Sequence, residues 1–165
     1  MKESYPIYKT GIGEDSHRFL SEDLTKPCIL AGVVFEDVPG LAADSDGDAV
    51  YHSICRAITS INSFPILDTV AKDLCLNQGI TDSKVYLEKA FESLKNLKVV
   101  HVAISIEAKR PKIFKKTEEM RKNISSILKI DISQVGIVAH SGEGLTECGC
   151  GMGIQSTCCL TVVSF

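Results

Sequence analysis

The stretch "LAADSDGDAVYHSICRAITSI", residues 41–61, changes its period partway along and so decides how the chain is built. Its first part sets Asp44, Asp46 and Asp48 at alternate positions, with His52 four residues beyond the last. From there Ile54, Ala57, Ile58 and Ile61 fall at i, i+3, i+4 and i+7, the stripe of an amphipathic helix. The spacing predicts a helix opening near Gly47 with Asp46 as its N-cap. Closely spaced aspartates also invite a calcium-loop reading, which requires Gly at the sixth position and Glu at the twelfth. Counting from Asp44, those positions hold Ala49 and Cys55, which excludes it.

Strands are expected on either side. "YPIYKTGIGEDSH" (5–17) and the β-branched "CILAGVVFEDV" (28–38), closed by the turn pair Pro39-Gly40, read as strands forming a hairpin-like start. A second helix opens at Thr81 or Asp82 and runs through "KVYLEKAFESLKNL" (84–97), with Leu87, Phe91 and Leu94 inward. "VVHVAISIEA" (99–108) alternates as a strand. "FKKTEEMRKNISSILKI" (114–130) repeats Met120, Ile124, Ile127 and Leu128 at helical spacing, before strands "VGIVAH" (135–140) and "IQSTCCLTVV" (154–163). The expected fold is α+β: helices layered on a mixed sheet, with an N-terminal strand and hairpin region.

Composition bounds the function. At 165 residues, 44% hydrophobic and 24% charged, the chain suits one globular domain, 1–165, with its own core. A net charge of −3 gives no general field for nucleic acid, so a phosphate-bearing ligand needs a local device. No apolar run approaches a membrane span, and "MKESYPIYKTGIGED" has no signal core, so a cytoplasmic protein with no membrane partner is expected. Seven cysteines include Cys148 with Cys150 and Cys158 with Cys159, but neither pair has C-x-x-C spacing. They are read as thiols, small apolar side chains in the interior.

Asp15 and His17 close the first strand two positions apart and therefore face the same way. With His52 from the first turns of the helix they make a three-donor set with a fourth tetrahedral place open, the pattern of catalytic zinc. Asp48, one helical turn before His52, is placed to orient its ring.

"GIGEDSHRF" (11–19), "LAADSDGDAVYH" (41–52), "EAKRPKI" (107–113) and "AHSGEG" (139–144), in that order, resemble the 2-C-methyl-D-erythritol 2,4-cyclodiphosphate synthases, zinc enzymes of non-mevalonate isoprenoid synthesis. The resemblance spans nearly the whole chain. It implies an intramolecular phosphoryl transfer in which the 2-phosphate of a cytidine-diphosphate substrate attacks the β-phosphate and releases CMP. It also implies a homotrimer with sites between subunits, one zinc per subunit on Asp15, His17 and His52, and a magnesium or manganese on Glu143. By the same resemblance Asp15, His17, Asp44, Ser45 and Asp68 lie along the substrate. Ala108, Pro111, Lys112 and Ile113 form the cytosine pocket, and His140 and Ser141 meet the diphosphate.

Asp44, His140 and Ser141 thus become the expected catalytic side chains. Asp44 stands where the family usually has a histidine and His140 where it usually has a threonine, as if an Asp and a His had traded loops and kept contact. "FPILDTVAKD" (64–73) holds no clean match to the Asp-Ile-Gly turn of the family, and Asp68 is a shifted candidate. Two other functions suit the same scaffold: a zinc phosphoesterase with water as nucleophile, and a non-catalytic trimer that binds diphosphates or isoprenoids and needs no zinc.

Overall fold

The structure, a computed structural model, describes residues 5–21 and 26–165. Met1–Ser4, the start of the segment read for a signal, lie outside the described residues, as do 22–25. Four strands make a mixed sheet in the order β1-β6-β4-β5: β1 Ile7–Arg18, β6 Gly153–Ser164, β4 Lys98–Glu107 and β5 Val135–His140. Only β4 and β5 run parallel. The expected α+β architecture is what forms. Helix α1 (Ala49–Asn62) lies on β1 and β6, α3 (Ser83–Ser93) packs on α1, and α4 (Thr117–Leu128) on α3 and β5. Among the described residues, no helix is long and apolar enough to cross a membrane.

The N-terminal pairing differs from expectation. Strand β1 pairs with β6 at the other end of the chain, and "CILAGVVFEDV" is itself a hairpin, β2 (Pro27–Leu30) and β3 (Val33–Pro39). Its turn is Ala31-Gly32, with φ of 49° and 71°. Two consecutive positive φ values match the twist of a tight hairpin and suit Gly at the second place. The buried carboxylate of Asp48 holds the turn, accepting from Ala31 N at 2.9 Å and Gly32 N at 2.8 Å.

That carboxylate also accepts from Val50 N and Tyr51 N at 3.1 and 3.0 Å, so the N-cap of α1 is Asp48, not Asp46. Burial and the nearby Asp46 push the Asp48 carboxyl up to about 6 against the pull of the N–H groups of Gly32, Tyr51 and Ala31. Asp48→Ala removes a cap worth about 1 kcal/mol. It also strands two turn N–H groups at about 1–3 kcal/mol each. The expected loss is roughly 3–7 kcal/mol, a fall in Tm of about 10–20 °C for a domain this size, read by thermal denaturation.

Two glycines let α1 touch β1. A Cβ built on Gly11 falls 2.1 Å from Ala57 O, and one on Gly13 falls 2.2 Å from Ser53 O. Only a strand bare of side chains on this face accepts the helix so closely, and Asp15 and His17 continue the same face. The close approach carries His52 to them. Among the described residues no helix covers the opposite face of the sheet: Tyr8, Ile12, Val138, Ala103 and Cys159 stand exposed along it.

Candidate metal and substrate site

Asp15 and His17 point from β1 toward α1, and His52 meets them one turn after the cap, with 7% of its surface exposed. Asp15 Oδ2 lies 2.9 Å from His17 Nε2 and 3.0 Å from His52 Nδ1, and the two nitrogens are 3.2 Å apart. Donors on a tetrahedral zinc, at bonds of about 2.0–2.1 Å, are separated by roughly 3.3–3.4 Å. The triangle therefore has nearly the size such an ion requires, and these residues form the one possible metal-holding cluster among the described residues.

The proton positions fit as well. His17 Nδ1 lies 3.0 Å from the Ala42 carbonyl, which only accepts, so Nδ1 carries the proton and Nε2 turns a lone pair to the centre. Burial alone raises the Asp15 carboxyl. With both rings protonated, hydrogen bonds from His17 and His52 and their positive charge outweigh it and hold Asp15 well below the usual carboxylate range; a cation that displaces those protons meets the same carboxylate. An anion and a ring lone pair meeting within hydrogen-bond distance make a cation site. Arg56 Nε donates to the other oxygen, Asp15 Oδ1, at 3.3 Å and leaves Oδ2 to the histidines.

The cluster opens into a cavity of about 380 Å³ that Asp44, Ser45, Asp68, Arg56 and Lys72 also line. Lys26 fixes the loop carrying Asp44 and Ser45: its ammonium donates to the carbonyls of Leu41, Ala43 and Ser45 at 2.8, 3.0 and 2.6 Å, using all three protons. Asp68 is brought to the cavity by a helix the sequence reading did not foresee, a π-helical turn Leu67–Ala71 running into α2 (Lys72–Gln78).

The remaining candidates gather elsewhere. Ala108, Pro111, Lys112, Ile113, His140 and Ser141 line a second cavity of about 160 Å³, and the Ser141 hydroxyl donates to Glu143 at 2.6 Å. Across the sheet, Ser16 pairs with Gln155, Gln155 with Glu107, and Glu107 with His140. Both groups thus sit at the same end of the sheet but on opposite edges, three strand spacings or about 14 Å apart. The expected contact of Asp44 with His140 is therefore not made within one chain; the two side chains line separate cavities.

Asp48 does not orient His52. Both of its oxygens are taken by backbone N–H groups, and the partner of His52 Nε2 is Ser83 Oγ at 2.8 Å, with Asp46 behind it. Ser83, Arg56 and Lys26 were not singled out from the sequence; Ser83 sits beside Asp82 at a helix start, where a serine ordinarily signals only a cap. All seven cysteines are free thiols. Cys28, Cys55 and Cys158 are interior as expected, and burial raises all three, Cys28 to about 12. Cys150 and Cys159 are exposed, Cys159 because alternate positions of β6 face the uncovered side of the sheet.

Comparison with known proteins agrees with the resemblance. The YgbB family model matches residues 8–163. A Chlamydia caviae protein named 2-C-methyl-D-erythritol 2,4-cyclodiphosphate synthase is 56% identical over 160 residues, covering 96% of this chain and 91% of that one. Its namesake from Chlamydia trachomatis serovar L2 is 49% identical over 96% of this chain and 90% of its own length. Among solved structures, IspF of Plasmodium falciparum in its CDP complex aligns with a TM-score of 0.82 and 29% identity over 98% of this chain and 99% of that one. The bifunctional IspDF of Campylobacter jejuni aligns at 0.86 with 25% identity over 98% of this chain, which spans only 43% of that longer protein.

Proposed function

This chain belongs to the YgbB family, and on that footing we propose that it converts 4-diphosphocytidyl-2-C-methyl-D-erythritol 2-phosphate to 2-C-methyl-D-erythritol 2,4-cyclodiphosphate and CMP, within isoprenoid synthesis. An oxygen of the 2-phosphate bonds to the β-phosphorus. The bond from that phosphorus to the bridging oxygen breaks, and its electron pair leaves on CMP. The reaction is that of a cyclising phosphorus–oxygen lyase. The convergence of Asp15 Oδ2, His17 Nε2 and His52 Nδ1 at the mouth of a cavity carries this reading.

The attacking group is already an anion, so the protein needs no nucleophile of its own and works by folding the substrate and neutralising charge. Asp15, His17 and His52 would hold a zinc, and Glu143 a magnesium or manganese, which would supply Lewis-acid neutralisation of the phosphoryl charge. Arg56 and Lys72 add positive charge along the cavity wall, offsetting Asp44 and Asp68. Ser45 and Asp68 face the erythritol unit. Ala108, Pro111, Lys112 and Ile113 receive the cytosine through backbone groups, His140 donates to the diphosphate, and the Ser141 hydroxyl turns its proton from Glu143 to a phosphate oxygen when substrate binds.

The domain, residues 1–165, works as a homotrimer in the cytoplasm. Two observations support the trimer: one sheet face is uncovered, and the candidate residues divide between opposite sheet edges. A ring that sets the β5 edge of one subunit beside the β1 edge of the next completes each site and brings Asp44 to His140 of the neighbouring subunit. The test is incubation with the cytidine-diphosphate substrate, zinc and magnesium, followed by phosphorus NMR. Cyclic diphosphate and CMP in equal amounts are expected; release of inorganic phosphate, or no turnover, overturns the reading.

A further inference from the structure

The two ring nitrogens of His52 have different neighbours. Nδ1 faces Asp15 and His17, while Nε2 lies 2.8 Å from the hydroxyl of Ser83, a residue with no exposed surface. That hydroxyl donates to Asp46 Oδ1, and the Ser83 N–H donates to Asp46 Oδ2 at 3.0 Å. Asp46 is held in turn: its Oδ1 accepts from Asp48 N at 3.1 Å, and its own N–H donates to Thr81 O at 2.9 Å. None of this is needed to cap α3, whose N-cap is Asp82, accepting from Lys84 N at 2.8 Å.

We propose that Ser83 and Asp46 are positioning residues that fix the tautomer of His52 and so set the affinity of the metal site. The inference rests on the reading of Asp15, His17 and His52 as metal ligands. A carboxylate has no proton to give, so the Ser83 proton is committed to Asp46 and only oxygen lone pairs face His52. Nε2 must then carry the ring proton, and Nδ1 is left bare toward Asp15 Oδ2 and His17 Nε2. His17 reaches the equivalent state through the Ala42 carbonyl. The Ser83 relay therefore does for the helical histidine what a backbone carbonyl does for the strand histidine. It also joins α1, α3 and the aspartate-rich loop at one ligand.

The experiment is zinc titration of the purified full-length protein against a competing chelator, with the ring nitrogens of His52 followed by NMR in the metal-free state. Ser83→Ala and Asp46→Asn are each expected to weaken zinc binding about 10–100-fold. Both should also move the His52 ring away from the Nε2–H tautomer. A purely structural role for Ser83 lowers Tm but leaves the tautomer and the zinc affinity of the folded protein alone. His52→Ala serves as the reference for a lost ligand. Wild-type affinity and an unmoved tautomer in both variants overturn the relay while leaving the ligand set standing. A wild-type protein that binds no zinc overturns both.

Discussion

Replacing His52 with alanine is expected to lower turnover about 10³-fold or more and to leave a folded protein. The magnitude follows from the role: a Lewis acid at a phosphoryl group supplies several kcal/mol of charge stabilisation, and about 4 kcal/mol corresponds to roughly 10³ in rate. Asp15 Oδ2 and His17 Nε2, 2.9 Å apart, cannot hold the ion as three donors do. Folding depends on other residues: the apolar core runs through Ile54, Leu87, Ile124 and Leu160, and none of Asp15, His17 and His52 belongs to it. Zinc content, measured on protein whose near-ultraviolet circular dichroism matches wild type, should fall with activity. A variant that keeps wild-type turnover removes His52 from the mechanism.

The donor set was legible because its spacing is a property of single elements. Asp15 and His17 share a strand face by the period of two, and His52 stands one turn into a helix whose stripe begins at Ile54. What brings the two elements together is less visible. Gly11 and Gly13 look like turn signals in "GIGED", yet they sit inside a straight strand, where the missing Cβ atoms admit a helix backbone. The turn inside 28–38 was not legible because Ala31 is an unusual residue for a positive φ, and the carboxylate that stabilises it comes from Asp48, distant in sequence. The same capture explains why Asp46 and Asp48 exchanged their expected roles. Alternate aspartates look equivalent in a sequence, and only the turn and the α3 N-terminus distinguish them.

The helix at 67–78 did have a signal. Leu67, Val70, Ala71 and Leu74 fall at helical spacing before Gly79, which ends the segment at φ 69°. Its first turn is π-helical, so the stripe departs there from a regular 3.6-residue period. The division of the remaining candidates between two cavities had no local signal, since strand order is set by the pairing of β1 with β6, the most distant strand in sequence.

That strand order makes a further result sharp. Mixing His52→Ala and Glu143→Ala proteins, each strongly impaired, is expected to restore activity to about a quarter of wild type once their subunits exchange. Glu143 follows β5 and His52 sits over β1, at opposite edges of a four-stranded sheet about 14 Å across. One chain alone keeps them three strand spacings apart, whereas the proposed ring of identical head-to-tail contacts would set the two edges together three times. In an equal, randomly exchanged mixture, half the subunits bring an intact metal cluster and half of their neighbours an intact Glu143, so about a quarter of the sites are whole. Sites built within one chain predict no recovery, because every chain carries one lesion. Native mass spectrometry verifies the exchange, and mixtures shown to contain both proteins in one trimer yet still inactive place Glu143 outside the neighbour's site.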